Sequence, residues 1–208
     1  MVVEHDKHPS FFVAKFWSYF IPTPPDADTA AKLEALYKDS GYQIRPVLEA
    51  ILCAPQLYDG PRMVKPPVVL VAGMLRARER GITEGSWTWV LSGAGQRLYY
   101  PPDVAGWDDK RWLDTNTTLG RWQAVRTALR GDTLDPGSST YPAETPEQAV
   151  AAVRAFWGGP TLSSACVNEL KAFAGRAVAS GVTTPRLHAQ RQNALRQLLA
   201  ASPDYQTS

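Results

Sequence analysis

Four carboxylates fall within twelve residues, at Asp103, Asp108, Asp109 and Asp114, with Asn116 just beyond. They belong to the stretch YYPPDVAGWDDKRWLD at 99–114, which also carries Tyr99, Tyr100, Trp107 and Trp112. Two carboxylates flanked by tryptophans supply what glycoside hydrolysis needs: one acid, one base or nucleophile, and an aromatic platform for the sugar face. Ester or lactone hydrolysis by a carboxylate-activated water draws on the same groups. On this reading Asp108 and Asp109 are the acid/base pair and Asp103 assists. Tyr99, Tyr100, Trp107 and Trp112 line the substrate site. Arg97 and Arg121 bracket the loop and suit bidentate contacts to a substrate or to the aspartates, with Gln96 and Trp122 as further candidates. The same oxygens suit calcium, a hard cation that takes about 6–8 oxygen ligands. Asp103, Asp114 and Asn116 would hold it, although their spacing departs from the EF-hand pattern.

A purely structural reading accounts for much of the loop. Pro101 and Pro102 stiffen the exit from one helix, Gly106 permits a tight turn, the tryptophans plug into a core, and Asp114 or Asn116 caps the next helix. Clamping a connection does not require four aspartates, and this polar surplus keeps a functional reading open. Elsewhere the chemical signals are thin. The chain contains no G-x-x-x-x-G-K-[ST], H-E-x-x-H or G-x-S-x-G. HDKH at 5–8 has the donors for zinc, but it sits where a chain end frays and suits a helix start. Cys53 follows an apolar helical face and reads as a buried thiol; a Cys53–Cys166 bridge stays open as the alternative. RARER at 76–80 reads as a solvated helix face.

The elements that must position these groups are helical. Ile44, Val47, Leu48, Ile51 and Leu52 give the clearest 3.6-residue period. Residues 9–21 are apolar on nearly all sides, which predicts a central helix surrounded by others. Helices also follow from Leu33–Leu36–Tyr37, from Val68–Val71–Ala72–Leu75, and from Trp87–Val90–Leu91–Ala94–Leu98. Gly93 and Gly95 weaken that last pattern, a cost that goes with close approach of a neighbouring backbone. Past the loop, Leu119, Trp122, Val125 and Leu129 define another helix, capped by Thr115 or Asn116. TPEQ at 145–148 is a capping box, and Thr184–Pro185 opens the last long helix. Val167, Leu170, Phe173, Ala174, Ala177 and Val178 form the inward face of the helix between. The expected fold is all-α: about eight helices in an irregular orthogonal bundle with long ordered loops. A helical core at 1–130, a turn-rich linker at 131–144 and a C-terminal helical subdomain at 145–208 complete the expected layout.

Composition narrows the partners. The 208 residues carry a net charge of +2, so nothing favours nucleic acid. The densest apolar run, FFVAKFWSYFI, is far short of the ~20 residues of a spanning helix and lacks a secretory cleavage signature.

The blocks HPSFFVAKFWSYF (8–20), SGYQIRPVLEAILCAPQLY (40–58), KPPVVLVAGMLRA (65–77), GQRLYYPPDVAGWDDKRWLDTNTTLGRW (95–122) and LRQLLAASPDYQ (195–206) occur in an order that resembles the C-terminal part of the bacterial domain of unknown function 1800 family. PPDVAGW followed by TNTTLGRW is the most specific marker. The resemblance implies a helical fold, a longer N-terminal region and, in longer relatives, an export signal there; a missing N-terminal half or a protein partner would then complete the chain. It transfers no catalytic residues. The functional expectation is therefore a hydrolase acting on a neutral glycoside or small ester or lactone through the 99–114 carboxylates. The alternative is a non-catalytic helical module that binds a surface polymer or partner protein.

Overall fold

A computed structural model describes residues 3, 5–82, 85–138, 144–179 and 184–208, with the side chains of 109 and 177–179 outside the description. Among the described residues the fold is all-α, with eleven helices and no strand beyond an isolated bridge between Val64 and Thr207. The chain packs as two compact units, Met1–Met63 and Val64–Ser208.

The first unit holds α1 (His8–Ser18), α2 (Ala27–Asp39), α3 (Ile44–Leu52) and the short α4 (Pro55–Asp59). Its core is Val13, Trp17, Ile21, Leu33, Tyr37, Val47 and Ile51. The Trp17 indole N–H donates to the Thr23 carbonyl at 2.7 Å, so the turn after α1 is tied to the core. The expectation of a wholly surrounded α1 is corrected here. Only the Pro9–Val13–Trp17 stripe is buried, and Phe11 is 66% exposed, because α2 packs along one side of the helix. Cys53 is likewise exposed rather than buried. It is the C-cap of α3, beyond the Val47–Ile51 stripe that faces inward. Both cysteines are free thiols, so the bridge is not formed.

The second unit holds α5 (Pro67–Ala77), α6 (Ser86–Gly93), α7 (Thr115–Ala128), α8 (Pro146–Phe156), α9 (Ser164–Ala179), α10 (Pro185–Ala201) and α11 (Pro203–Gln206). One continuous core runs through all seven, from Leu70 and Met74 through Trp87, Val125, Val153 and Leu170 to Leu195 and Tyr205. The capping box at Thr145 and Gln148 forms as the sequence requires, and Thr184 caps α10 through the Leu187 N–H. Ala177 and Val178 lie outside the described side chains, as do residues 139–143 of the expected linker. The rest of that stretch is fastened into the unit. Asp132 is ion-paired to Arg78 and Arg80, its carbonyl accepts from Arg196 at 2.6 Å, and the Leu134 backbone makes paired 2.9 Å bonds with the Asn193 amide. Arg78 also lies 3.9 Å from the Phe156 ring centroid, so RARER is a partly buried clamp and not a purely solvated face.

Candidate functional site

The 99–114 loop is hung between α6 and α7, and glycines set how closely those helices approach. A Cβ at Gly120 would run into the backbone carbonyl of Gly93. The helices thus cross with backbone against backbone, as Gly93 suggested. Gly95 is outside α6, in the left-handed region at φ +96°, and turns the chain back. A side chain there would press on Thr117 and Trp112. Trp112 is buried against this turn, and its indole N–H has no partner.

Each described aspartate of the loop holds its own stretch of backbone. Asp103 Oδ1 accepts from the Ala105 N–H at 2.7 Å, and Gly106 follows at φ +97°. Asp108 Oδ1 accepts from the Lys110 N–H at 3.1 Å and opens a 3-10 turn over Asp109–Leu113. Asp114 is the N-cap of α7: its Oδ1 accepts from both the backbone N–H and the hydroxyl of Thr117, each at 2.9 Å. Of the caps the sequence offered, Asp114 is the one that forms, and Thr115 and Asn116 are not caps; Asn116 is an exposed residue of the first turn. The Thr117 backbone and hydroxyl donors hold the Asp114 carboxyl below the usual carboxylate range. That direction suits a fixed anion and opposes a general acid. Asp109 lies in the 3-10 turn, and its side chain is outside the described part.

Three of the four aspartates nonetheless share one concavity. A groove of about 510 Å³ is lined by Asp103, Asp108 and Asp114, by Arg97 and Arg111, and by Tyr100, Trp107 and Trp112. Arg97 stacks on Tyr100 with its guanidinium carbon 4.5 Å from the ring centroid. A second groove of about 440 Å³, bordered by Trp89, Leu98 and Tyr99, shares Ser92 and Arg97 with the first. Tyr99 lines this second groove and is 97% exposed. Among the described residues no group of three or more His, Cys, Asp or Glu side chains is arranged to hold a metal ion.

Arg121 and Gln96 are placed elsewhere than the groove, in a buried polar knot. Arg121 is 1% exposed. Its Nε donates to Gln206 Oε1 at 2.6 Å and one terminal nitrogen to the Lys65 carbonyl at 2.7 Å, while the other terminal nitrogen has no partner. Burial pushes its pKa down to about 10, which leaves it cationic at neutral pH. Lys65 donates its backbone N–H to the Gln206 carbonyl and its ammonium to the Tyr205 carbonyl. Gln206 donates onward to the Ala200 carbonyl, and the Gln96 side chain accepts from the Val68 N–H at 3.0 Å. The knot ties the start of α5 and the middle of α7 to the C-terminal turn, and Gln206 is the member that sequence reasoning missed. One signal for the knot was present: Arg121 falls on the stripe of Gly120, Ala124, Val125 and Ala128, which is the face of α7 that is buried. Leu119 and Trp122, expected inward, are exposed.

An all-α domain, with a grooved loop of aromatics and carboxylates and a separate buried arginine knot, is the class that the fold and site define. The model of the family described as "Protein of unknown function (DUF1800)" matches residues 1–207, and the chain belongs to that family. No curated protein and no solved structure gives a significant match. Three of the five blocks that carried the resemblance meet in the second unit: KPP, TLGRW and PDYQ supply the knot, and YYPPDVAGWDD supplies the groove.

Proposed function

We propose that the 99–114 groove binds a neutral, hydroxyl-rich ligand of the glycan type, and that the domain holds this ligand rather than cleaving it. The observation that supports this is the mixture of groups on one concavity: the rings of Tyr100 and Trp107, backed by the buried Trp112, with three carboxylates and two guanidinium groups. Ring faces stack on the apolar faces of sugars. Carboxylates accept from paired hydroxyls, and guanidinium groups donate to them. Each described aspartate commits Oδ1 to a local N–H, so the carboxylate is oriented in advance and its second oxygen serves the ligand. Near-balanced charge in the groove gives no preference for an ionic ligand.

Binding without cleavage fits the backbone-holding work of Asp103, Asp108 and Asp114. The lowered carboxyl of Asp114 suits a fixed anion and sets that one residue apart from a general acid. The second reading, hydrolysis by Asp108 and Asp109 with Asp103 assisting, is favoured by the presence of Asp103 and Asp108 on the same groove wall. The two part in one experiment. The protein is titrated calorimetrically with neutral cello-, xylo-, malto- and manno-oligosaccharides, and the mixtures are analysed for released sugar alongside a panel of chromogenic glycosides and esters. Saturable binding that Trp107→Ala weakens roughly ten-fold, with no turnover, is the expected result. Turnover abolished by Asp108→Ala would replace binding by hydrolysis, and absence of any binding or turnover would remove both.

A further inference from the structure

We infer that the groove bordered by Trp89, Leu98 and Tyr99 is a second subsite for the same ligand, so that the ligand is an extended neutral glycan chain and not a single small sugar. This rests on the glycan reading of the first groove. The two concavities are contiguous, because Ser92 and Arg97 form part of the wall of each. Arg97 is at their boundary with its guanidinium stacked on Tyr100, a ring of the first groove. A ligand that lies along Tyr100 and passes Arg97 therefore meets Tyr99 and Trp89 next.

The chemistry of the second groove is that of a platform. Among its described lining residues Arg97 is the one charged group, and the rest are rings, aliphatic carbons and the hydroxyls of Thr88 and Ser92. Such a surface discriminates by ring stacking and not by charge. Trp89 is 80% exposed, although an indole on a helix ordinarily gains by burial. Tyr99 is stranger. Its backbone is left-handed at φ 60°, a region that disfavours side chains with a Cβ, and the Tyr100 N–H to Arg97 carbonyl bond at 3.1 Å closes the turn that holds it. Strain of this kind usually accompanies a gain in packing, yet the ring it presents is almost wholly exposed. Among the described residues the Tyr99 ring has no packing that offsets this cost, and a stacked ligand would supply it.

The first groove carries the hydrogen-bonding groups and the second carries stacking alone, so the two subsites contribute differently as the chain grows. The experiment is calorimetric titration of the full chain with cello-, xylo-, malto- and manno-oligosaccharides of two and of six units. The hexasaccharide of the preferred series should bind at least roughly ten-fold tighter than its disaccharide. Trp89→Ala and Tyr99→Ala should remove most of that advantage and leave disaccharide affinity within about two-fold, whereas Trp107→Ala weakens both lengths. Tyr99→Gly supplies a readout that a structural role would not give: it should raise the thermal midpoint, by relieving the left-handed residue, while it lowers hexasaccharide affinity. Equal affinity for the two lengths, or unchanged hexasaccharide binding in Tyr99→Gly, overturns the second subsite and leaves the first-groove reading intact. Absence of binding at either length removes that reading and this inference together.

Discussion

The knot around Arg121 and the groove along 99–114 are built from neighbouring stretches of the same sequence and treat polar groups in opposite ways. In the knot, a guanidinium is withdrawn from water and bonded to Gln206 and the Lys65 carbonyl. In the groove, carboxylates bond to their own backbone and keep a face to solvent. A buried polar group is costly to disturb because its partners have no water to turn to, whereas an exposed one is cheap. The comparison teaches that charge and motif membership do not separate a binding residue from a brace; burial and the location of the hydrogen-bond partner do.

The comparison breaks first at Arg121. Arg121→Met leaves Gln206 and the Lys65 carbonyl without their donor and should cost about 3–5 kcal/mol in denaturant unfolding. A loss under about 1 kcal/mol would move the brace elsewhere. Gly120→Ala comes next and pits two effects against each other. Helix propensity alone predicts a gain of about 1 kcal/mol, and the contact with the Gly93 carbonyl predicts a loss of about 2–3 kcal/mol. The net sign should be destabilising.

Tyr205 sharpens the knot side through pH. Burial pushes its phenol up to about 12 from an ordinary 10, so between those values the folded state holds a proton that the unfolded state has lost. Stability should therefore fall as pH rises through this window. Comparison with Tyr205→Phe isolates the effect, at about 1 kcal/mol by pH 11. At Asp114 the sign is reversed. Its folded pKa is depressed, so its contribution is present above the ordinary carboxylate pKa and is lost as pH falls through the lowered value. The acid limb of the thermal midpoint should flatten in Asp114→Asn, and Asp114→Ala should lower the midpoint slightly at neutral pH. Trp107→Ala, last, should change stability least while it weakens oligosaccharide binding.

Local signals were legible in the sequence wherever a single turn decides the outcome. The Thr145–Gln148 capping box, the Thr184 cap and the close approach at Gly93 all formed as read. The clustering of Tyr100, Asp103, Trp107 and Asp108 on one concavity also followed the residue types. What misled was side-chain size. On α7 the large Leu119 and Trp122 mark the outer face, because the inward face is the stripe of Gly120, Ala124, Val125 and Ala128, and Arg121 goes in with them. On α1 a segment apolar on nearly all sides had too few neighbours to bury every side. Gln206 could not have been found by period, since its role depends on long-range partners at Arg121 and Lys65.

The tryptophans offer the most direct measurement, because some lie in the core and others along the grooves. Trp17 and Trp157 are buried with indole N–H groups bonded to the carbonyls of Thr23 and Arg196, while Trp89 and Trp107 line the grooves. The indole N–H resonances are followed during titration with each neutral hexasaccharide of the panel. The account predicts that the Trp107 and Trp89 resonances shift in a saturable way and that those of Trp17 and Trp157 stay fixed. Stationary Trp107 and Trp89 resonances throughout, or shifts confined to the core indoles, would contradict it.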